Sequence, residues 1–183
     1  MNYWNLEKLG SLFFQEKEQD AASNNWEFCP DFEFGQLLET LCAHLRREEG
    51  CKLTAYWDQS RWSIGYGSLG YEGQQISAAD AELLLRQHAQ GAIAAFKRDY
   101  CFQHAKFNLT RAVAICGMIY QLGSAGLKSF KKMNSEIIEH EEPDWRIIAA
   151  EAIDSKWATQ DSPARAVRVA RALKTGDIKY LRG

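Results

Sequence analysis

The apolar positions of this 183-residue chain change rhythm several times along its length. Residues 1–33 mix aromatics (Tyr3, Trp4, Phe13, Phe14, Trp26, Phe28, Phe32) with acids and keep no period. From Phe34 onward, Leu38, Leu41, Cys42 and Leu45 follow the i, i+3, i+4, i+7 spacing of an amphipathic helix, and Gly50 is the residue type that closes one. Residues 52–73 are rich in Tyr, Trp and Gly. There Trp62, Ile64 and Tyr66 alternate with Ser63, Gly65 and Gly67, which is strand periodicity. Together with residues 53–57 they predict a hairpin turning at 58–61. One face of its second strand is bulky; the other is small and polar, which predicts room for a ligand above it.

Helical spacing then takes over. Ser77, with Asp80 three residues on, reads as a capping-box variant opening a long helix with a buried stripe of Ala81, Leu84, Leu85, His88, Ala92 and Phe96. Residues 109–120 are apolar nearly all round, as in a central helix, and Gly123 and Gly126 are expected to break it. Pro143 is expected at N1 of a further helix carrying Trp145, Ile148, Ala149, Ala152, Ile153 and Trp157. Ser162-Pro163 starts the last main helix, and Gly176 closes it. The predicted class is α+β and mainly α-helical, with a small β-containing lobe, a connecting helix and a larger helical lobe.

Charge divides the chain differently. Residues 1–40 carry 2 basic and 8 acidic side chains, and the remaining 143 carry 20 and 16, so the net −2 is a −6 leader on a +4 body. That balance excludes a strongly basic nucleic-acid binder and a low-complexity disordered chain. No run approaches the ~20 apolar residues of a membrane span, and no stable membrane insertion is expected. The apolar residues 9–14 give way to the acidic run at 16–20, so a Sec signal is not expected. Cys29, Cys42, Cys51, Cys101 and Cys116 are odd in number and scattered, which points to synthesis in a reducing compartment, the cytoplasm. His44, His88, His104 and His140 are dispersed, and Cys101 with His104 lacks the other ligands of a zinc site. No metal and no cofactor is expected.

Chemistry concentrates near the first helix end. Glu48 and Glu49 occupy its last turn, where the partial negative charge of the helix terminus makes acids unfavourable. Neutralisation by Arg46, Arg47 and solvent is the ordinary reading. A carboxyl buried near such a terminus has its protonated form favoured, as a general acid requires. Asp58 stands at the hairpin corner, where Asp is also a common turn former. Ser63 stands on the returning strand. Two carboxyls flanking one bond is the requirement of glycoside hydrolysis.

Several segments match a known family. Glu49-Gly50, Ala55-Tyr56-Trp57-Asp58, Trp62-Ser63-Ile64-Gly65-Tyr66-Gly67 and Ile76-Ser77-Ala78-Ala79-Asp80-Ala81 resemble the phage-type lysozymes of glycoside hydrolase family 24. The resemblance continues through Met118-Ile119-Tyr120-Gln121-Leu122-Gly123, Phe130, Trp145, Ser155-Lys156-Trp157-Ala158-Thr159-Gln160, Pro163, Arg165-Ala166, Arg168-Val169 and Thr175-Gly176. It implies a lysozyme-like catalytic domain over residues 36–183, with a β-containing lobe at about 50–76, a connecting helix at about 77–98 and a helical lobe at about 99–183. Residues 1–35 form an acidic extension outside it.

The resemblance also implies roles. Glu49 would protonate the glycosidic oxygen, while Asp58 and Ser63 would position and activate water on the other face of the sugar. Arg165 resembles the arginine that pairs with the catalytic glutamate, and Arg168 the one that pairs with the preceding acid, here Glu48. Leu69 and Tyr120 resemble saccharide contacts, although Tyr120 reads equally as a lobe-junction packing residue. The family pattern is Glu, eight residues, Asp, five residues, Thr. This chain has Ser63 for the Thr, four residues in the second interval, and Ser68 where a His often stands.

The implied activity is a muramidase that cleaves the β-1,4 bond between N-acetylmuramic acid and N-acetylglucosamine in peptidoglycan glycan strands, with inversion. Two alternatives stay open: a lytic transglycosylase, against which Asp58 counts, and a non-catalytic peptidoglycan-binding pseudoenzyme. The chain is expected to be a monomer acting on the cell wall from the periplasm. Delivery would be through a holin, as a phage endolysin, or through a secretion apparatus such as type VI, as an antibacterial effector. The effector reading adds a secretion carrier and a periplasmic immunity protein over the cleft between Glu49 and Asp58.

Overall fold

A computed structural model describes residues 32–58, 60–101 and 107–182, with backbone alone at Cys101. Most of the acidic leader, with Cys29, the side chain of Cys101 and His104, lies outside the described residues. Helix α1 (Phe34–Glu49) opens the chain and buries Leu37, Leu38, Leu41, Cys42, His44 and Leu45. It starts two residues before the expected domain boundary at 36, and Phe32 ahead of it is already buried. Gly50 ends it with φ 63 and ψ 171, a conformation open to glycine almost alone, which swings the chain directly into a strand.

Strands β1 (Lys52–Asp58), β2 (Arg61–Gly65) and β3 (Ser68–Leu69) form an antiparallel sheet in that order. Asp58 pairs with Arg61, so the hairpin turns at the predicted position. The Ser60 amide donates to the Asp58 carbonyl inside that turn. Between the pairs Lys52–Gly65 and Tyr56–Ser63, β1 carries two more residues than β2, and Thr54 within this irregularity bridges to Gln75. Pairing puts Tyr56 opposite Ser63 and Trp57 opposite Trp62, so the two tryptophans share the other face, edge to face at 5.7 Å.

Ser77 caps helix α2 (Ala78–Phe96) through the complete capping box with Asp80. Ala81, Leu85, Ala92 and Phe96 of the expected stripe are buried. Leu84 is half-buried and His88 exposed, because Ala89 rather than His88 faces the core. A π-helical turn (Lys97–Cys101) follows. Helix α3 (Leu109–Lys128), capped by Asn108, is the central element, with residues 112–119 buried throughout. Gly123, at φ 71 and ψ 165, kinks it as expected; Gly126 does not, and stays within the helix.

Helix α4 (Lys131–Glu139) buries only Met133 and Ile137, and is absent from the elements that sequence spacing predicts. Its exposed amino end is closed by the Glu151 carboxylate, which accepts from the Lys132 and Met133 amides. Helix α5 (Trp145–Ile153) is capped by the Asp144 side chain, which accepts from the Arg146 amide. Pro143 therefore lies before the cap rather than at N1. Trp157, expected on the same helix, instead opens a π-helical turn (Trp157–Asp161). Helix α6 (Pro163–Thr175) ends on left-handed Gly176, and a short α7 (Lys179–Arg182) closes the described chain. The result is the expected mainly helical α+β, two-lobed arrangement. Among the described residues no helix is long and apolar enough to cross a membrane.

Candidate active site

The last turn of α1 brings two carboxylates to α6. Arg165, buried on α6, donates from Nη1 to Glu49 Oε1 at 2.8 Å and from Nε to Glu48 Oε2 at 3.3 Å. Arg168, one helical turn on, reaches Glu48 Oε2 from Nη2 at 2.6 Å and Oε1 from Nε at 3.2 Å. Arg47 adds a third cation to Glu48 Oε1 at 2.6 Å. Acids at a helix carboxyl end are unfavourable alone; here guanidinium groups from a distant helix reverse that. Glu48 is the structural member of the pair, its side chain 3% exposed against 20% for Glu49. Burial works to raise the Glu48 pKa, but the hydrogen bonds from Arg168 and Arg47 outweigh it and hold the carboxyl at about 2.

Arg165 is itself aimed. Its Nη1 also donates to Gln121 Oε1 at 2.8 Å, and that oxygen accepts a second bond from Trp157 Nε1 at 2.9 Å. Gln121 Nε2 donates to Ser162 Oγ at 2.6 Å, so the Ser162 hydroxyl serves the amide instead of capping α6. The hydrophobic pattern assigns no role to Gln121, although a lone amide directly after the apolar run 112–120 is the available signal. The π-helical turn accounts for Trp157, since widening the helix there turns the indole toward α3.

The second carboxylate, Asp58, is exposed at the end of β1. Tyr56, two residues earlier on the same face of the strand, senses both acids. Burial first, then the negative charges of Asp58 and Glu49, raise its phenol pKa, with Arg61 opposing. The two carboxylates therefore act on one side chain from the helix end and the hairpin corner. Lys52 Nζ lies 3.8 Å from the centre of the same ring.

Ser63, across the sheet from Tyr56, corrects one expectation. The small face is covered at Ser63, while Gly67 beyond it keeps open space about an added Cβ. Ser63 is 0% exposed, held on the central strand between its partners Tyr56 and Leu69. Its hydroxyl has no hydrogen-bond partner among the described residues. A buried hydroxyl with unspent bonding capacity calls for an explanation, and readiness to bind water is one.

Leu69 is 74% exposed on β3. Tyr120 joins the lobes: its hydroxyl donates to the Tyr66 carbonyl at 2.9 Å, tying α3 to the sheet lobe. Burial, followed by the charge of Glu49, raises its phenol pKa. Tyr66 in turn donates to Glu82 Oε1 at 2.6 Å, and Arg46 grips Glu82 through Nε and Nη2. Ser68, where the resemblance leads one to look for a histidine, sits 3.4 Å from His88 Nδ1 on α2, so a polar contact still links strand and helix there.

A carboxylate steadied by arginine at a helix end, a second carboxylate at a hairpin corner and two lobes joined by a long helix fit a lysozyme-type glycoside hydrolase. The chain belongs to the phage lysozyme family, whose model matches residues 46–163. It is similar to a probable T4-type lysozyme 2 of Dictyostelium discoideum, with 28% identity over 171 residues, covering 78% of this chain and 98% of that one.

Proposed function

We propose that this muramidase-type peptidoglycan hydrolase cleaves the β-1,4 bond between N-acetylmuramic acid and N-acetylglucosamine with inversion, using Glu49 as general acid. The Glu49 carboxyl gives its proton to the glycosidic oxygen as the carbon–oxygen bond breaks. A water on the opposite face of the sugar attacks the anomeric carbon and passes its proton to Asp58, while the Ser63 hydroxyl holds that water. The observation that carries this reading is the Glu49 carboxyl itself, 20% exposed at the end of α1 and bonded to the buried Arg165, with Asp58 exposed at the hairpin corner. The Arg165 bond to Glu49 supplies the fixed orientation that proton transfer needs.

End groups and anomers test the mechanism together. Digested peptidoglycan is expected to yield muropeptides with free reducing ends by mass spectrometry, and early proton NMR spectra to show the α-anomer forming first. A β-anomer appearing first would mean retention, and 1,6-anhydro ends would mean a transglycosylase. We place its action on the bacterial cell wall.

A further inference from the structure

His44 has no part in the mechanism above, yet it is one of the few buried polar side chains, at 3% exposure. It lies one helical turn before Glu48 on α1, with Nδ1 4.0 Å from Glu48 Oε1. The same nitrogen lies 3.3 Å from the Leu181 carbonyl of α7; a carbonyl only accepts, so Nδ1 carries the proton. On the third side the ring lies against Gly117 of α3, where a Cβ would come within 3.2 Å of Nε2. Three elements thus close on one imidazole. The groups facing it are Glu48 and Arg47 on its own helix and Arg165 on α6. Glu39 and Arg182 line the groove of about 330 Å³ beside it. Burial lowers its pKa to about 4, against the opposing pull of Glu48, so the ring is neutral at physiological pH.

We infer that His44 is a positioning residue that wedges the Glu48 carboxylate in place, so that Glu48 holds the Arg165 guanidinium on Glu49. The contact chain is continuous: His44 to Glu48, Glu48 to Arg165 Nε, Arg165 Nη1 to Glu49. Gly117 leaves the space for the ring on α3, and only a neutral imidazole can give its proton to Leu181 without adding a cation beside Arg165. Coupling of this kind travels through packed, hydrogen-bonded contacts, and small misplacements near a catalytic group lower turnover.

The inference rests on the general-acid reading of Glu49, so the test includes Glu49→Gln. In the full chain, His44→Leu and the smaller His44→Ala, each checked for native circular dichroism, are assayed on purified peptidoglycan. Each is combined with Glu48→Gln. We expect kcat to fall at least fivefold in whichever His44 variant is folded, with KM within twofold of wild type. We expect the double variant to be no slower than Glu48→Gln alone within twofold, because both substitutions cut the same contact chain. His44→Asn, which keeps a donor at the Nδ1 position, is expected to recover at least half the lost turnover. A folded variant with unchanged kcat, or losses that multiply fully in the double variant, overturns the inference. Activity retained by Glu49→Gln would instead overturn the general-acid reading.

Discussion

Two side chains near the end of α1, His44 and Glu48, are each held in one protonation state by their surroundings, and this makes the pH dependence of folding specific. His44 titrates near 6.5 when unfolded and at about 4 when folded, so below pH 6.5 the unfolded chain binds more protons. Stability should therefore drop as pH falls from 6.5 to 4, by about 3 kcal/mol over that window. Urea unfolding at pH 7 and 4.5 should show this drop, and His44→Leu should remove most of it. Glu48 acts lower down. Its folded carboxyl lies at about 2 against 4.5 unfolded, so its contribution is present above pH 4.5 and is lost toward 2. Arg165→Ala leaves Glu48 and Gln121 each without one partner, and should lower Tm by an amount equivalent to about 3 kcal/mol. These residues differ in how readable they are from sequence. The Arg165–Glu49 pair lies 116 positions apart and becomes visible there only through family resemblance. His44 leaves one local trace, its place four residues before Glu48 on the apolar face.

Among the elements, those with several buried turns are legible in the sequence, and those built by exceptions are not. Helices α1, α2, α3 and α6 announce themselves through spacing and caps, and the hairpin through alternation. Helix α4 buries two side chains in nine residues, and β3 has only two residues, too little for any period to register. Trp157 keeps helical spacing from α5, four residues after Ile153, yet the chain leaves the helix at Asp154 and starts a π-helical turn at Trp157, a short break that spacing does not register. Gly50 and Gly123 are two of the glycines that positive φ requires. Gly123 has φ 71 and ψ 165 with nothing within 4 Å of an added Cβ, so Gly123→Ala brings strain without a clash. Thermal unfolding should show a loss of about 2 kcal/mol. Gly50→Ala should lose as much and also displace the adjacent Glu49, lowering kcat.

At the scale of the whole molecule the lobes are linked through Tyr66, whose carbonyl accepts from Tyr120 and whose hydroxyl donates to Glu82. Tyr120→Phe removes one of those links and should cost about 1 kcal/mol in stability. A twofold or smaller change in KM would mark Tyr120 as a junction residue, and a larger one as a saccharide contact. The charge division belongs to this scale too: the +4 body holds the carboxylates of the site, and a net positive body suits approach to an anionic wall. Every catalytic step proposed for the molecule depends on Glu49, and the rate of muropeptide release from purified peptidoglycan by the Glu49→Gln protein tests that most directly. With folding confirmed, the rate is predicted to fall at least a thousandfold below wild type; release at or near the wild-type rate would contradict a general-acid role for Glu49.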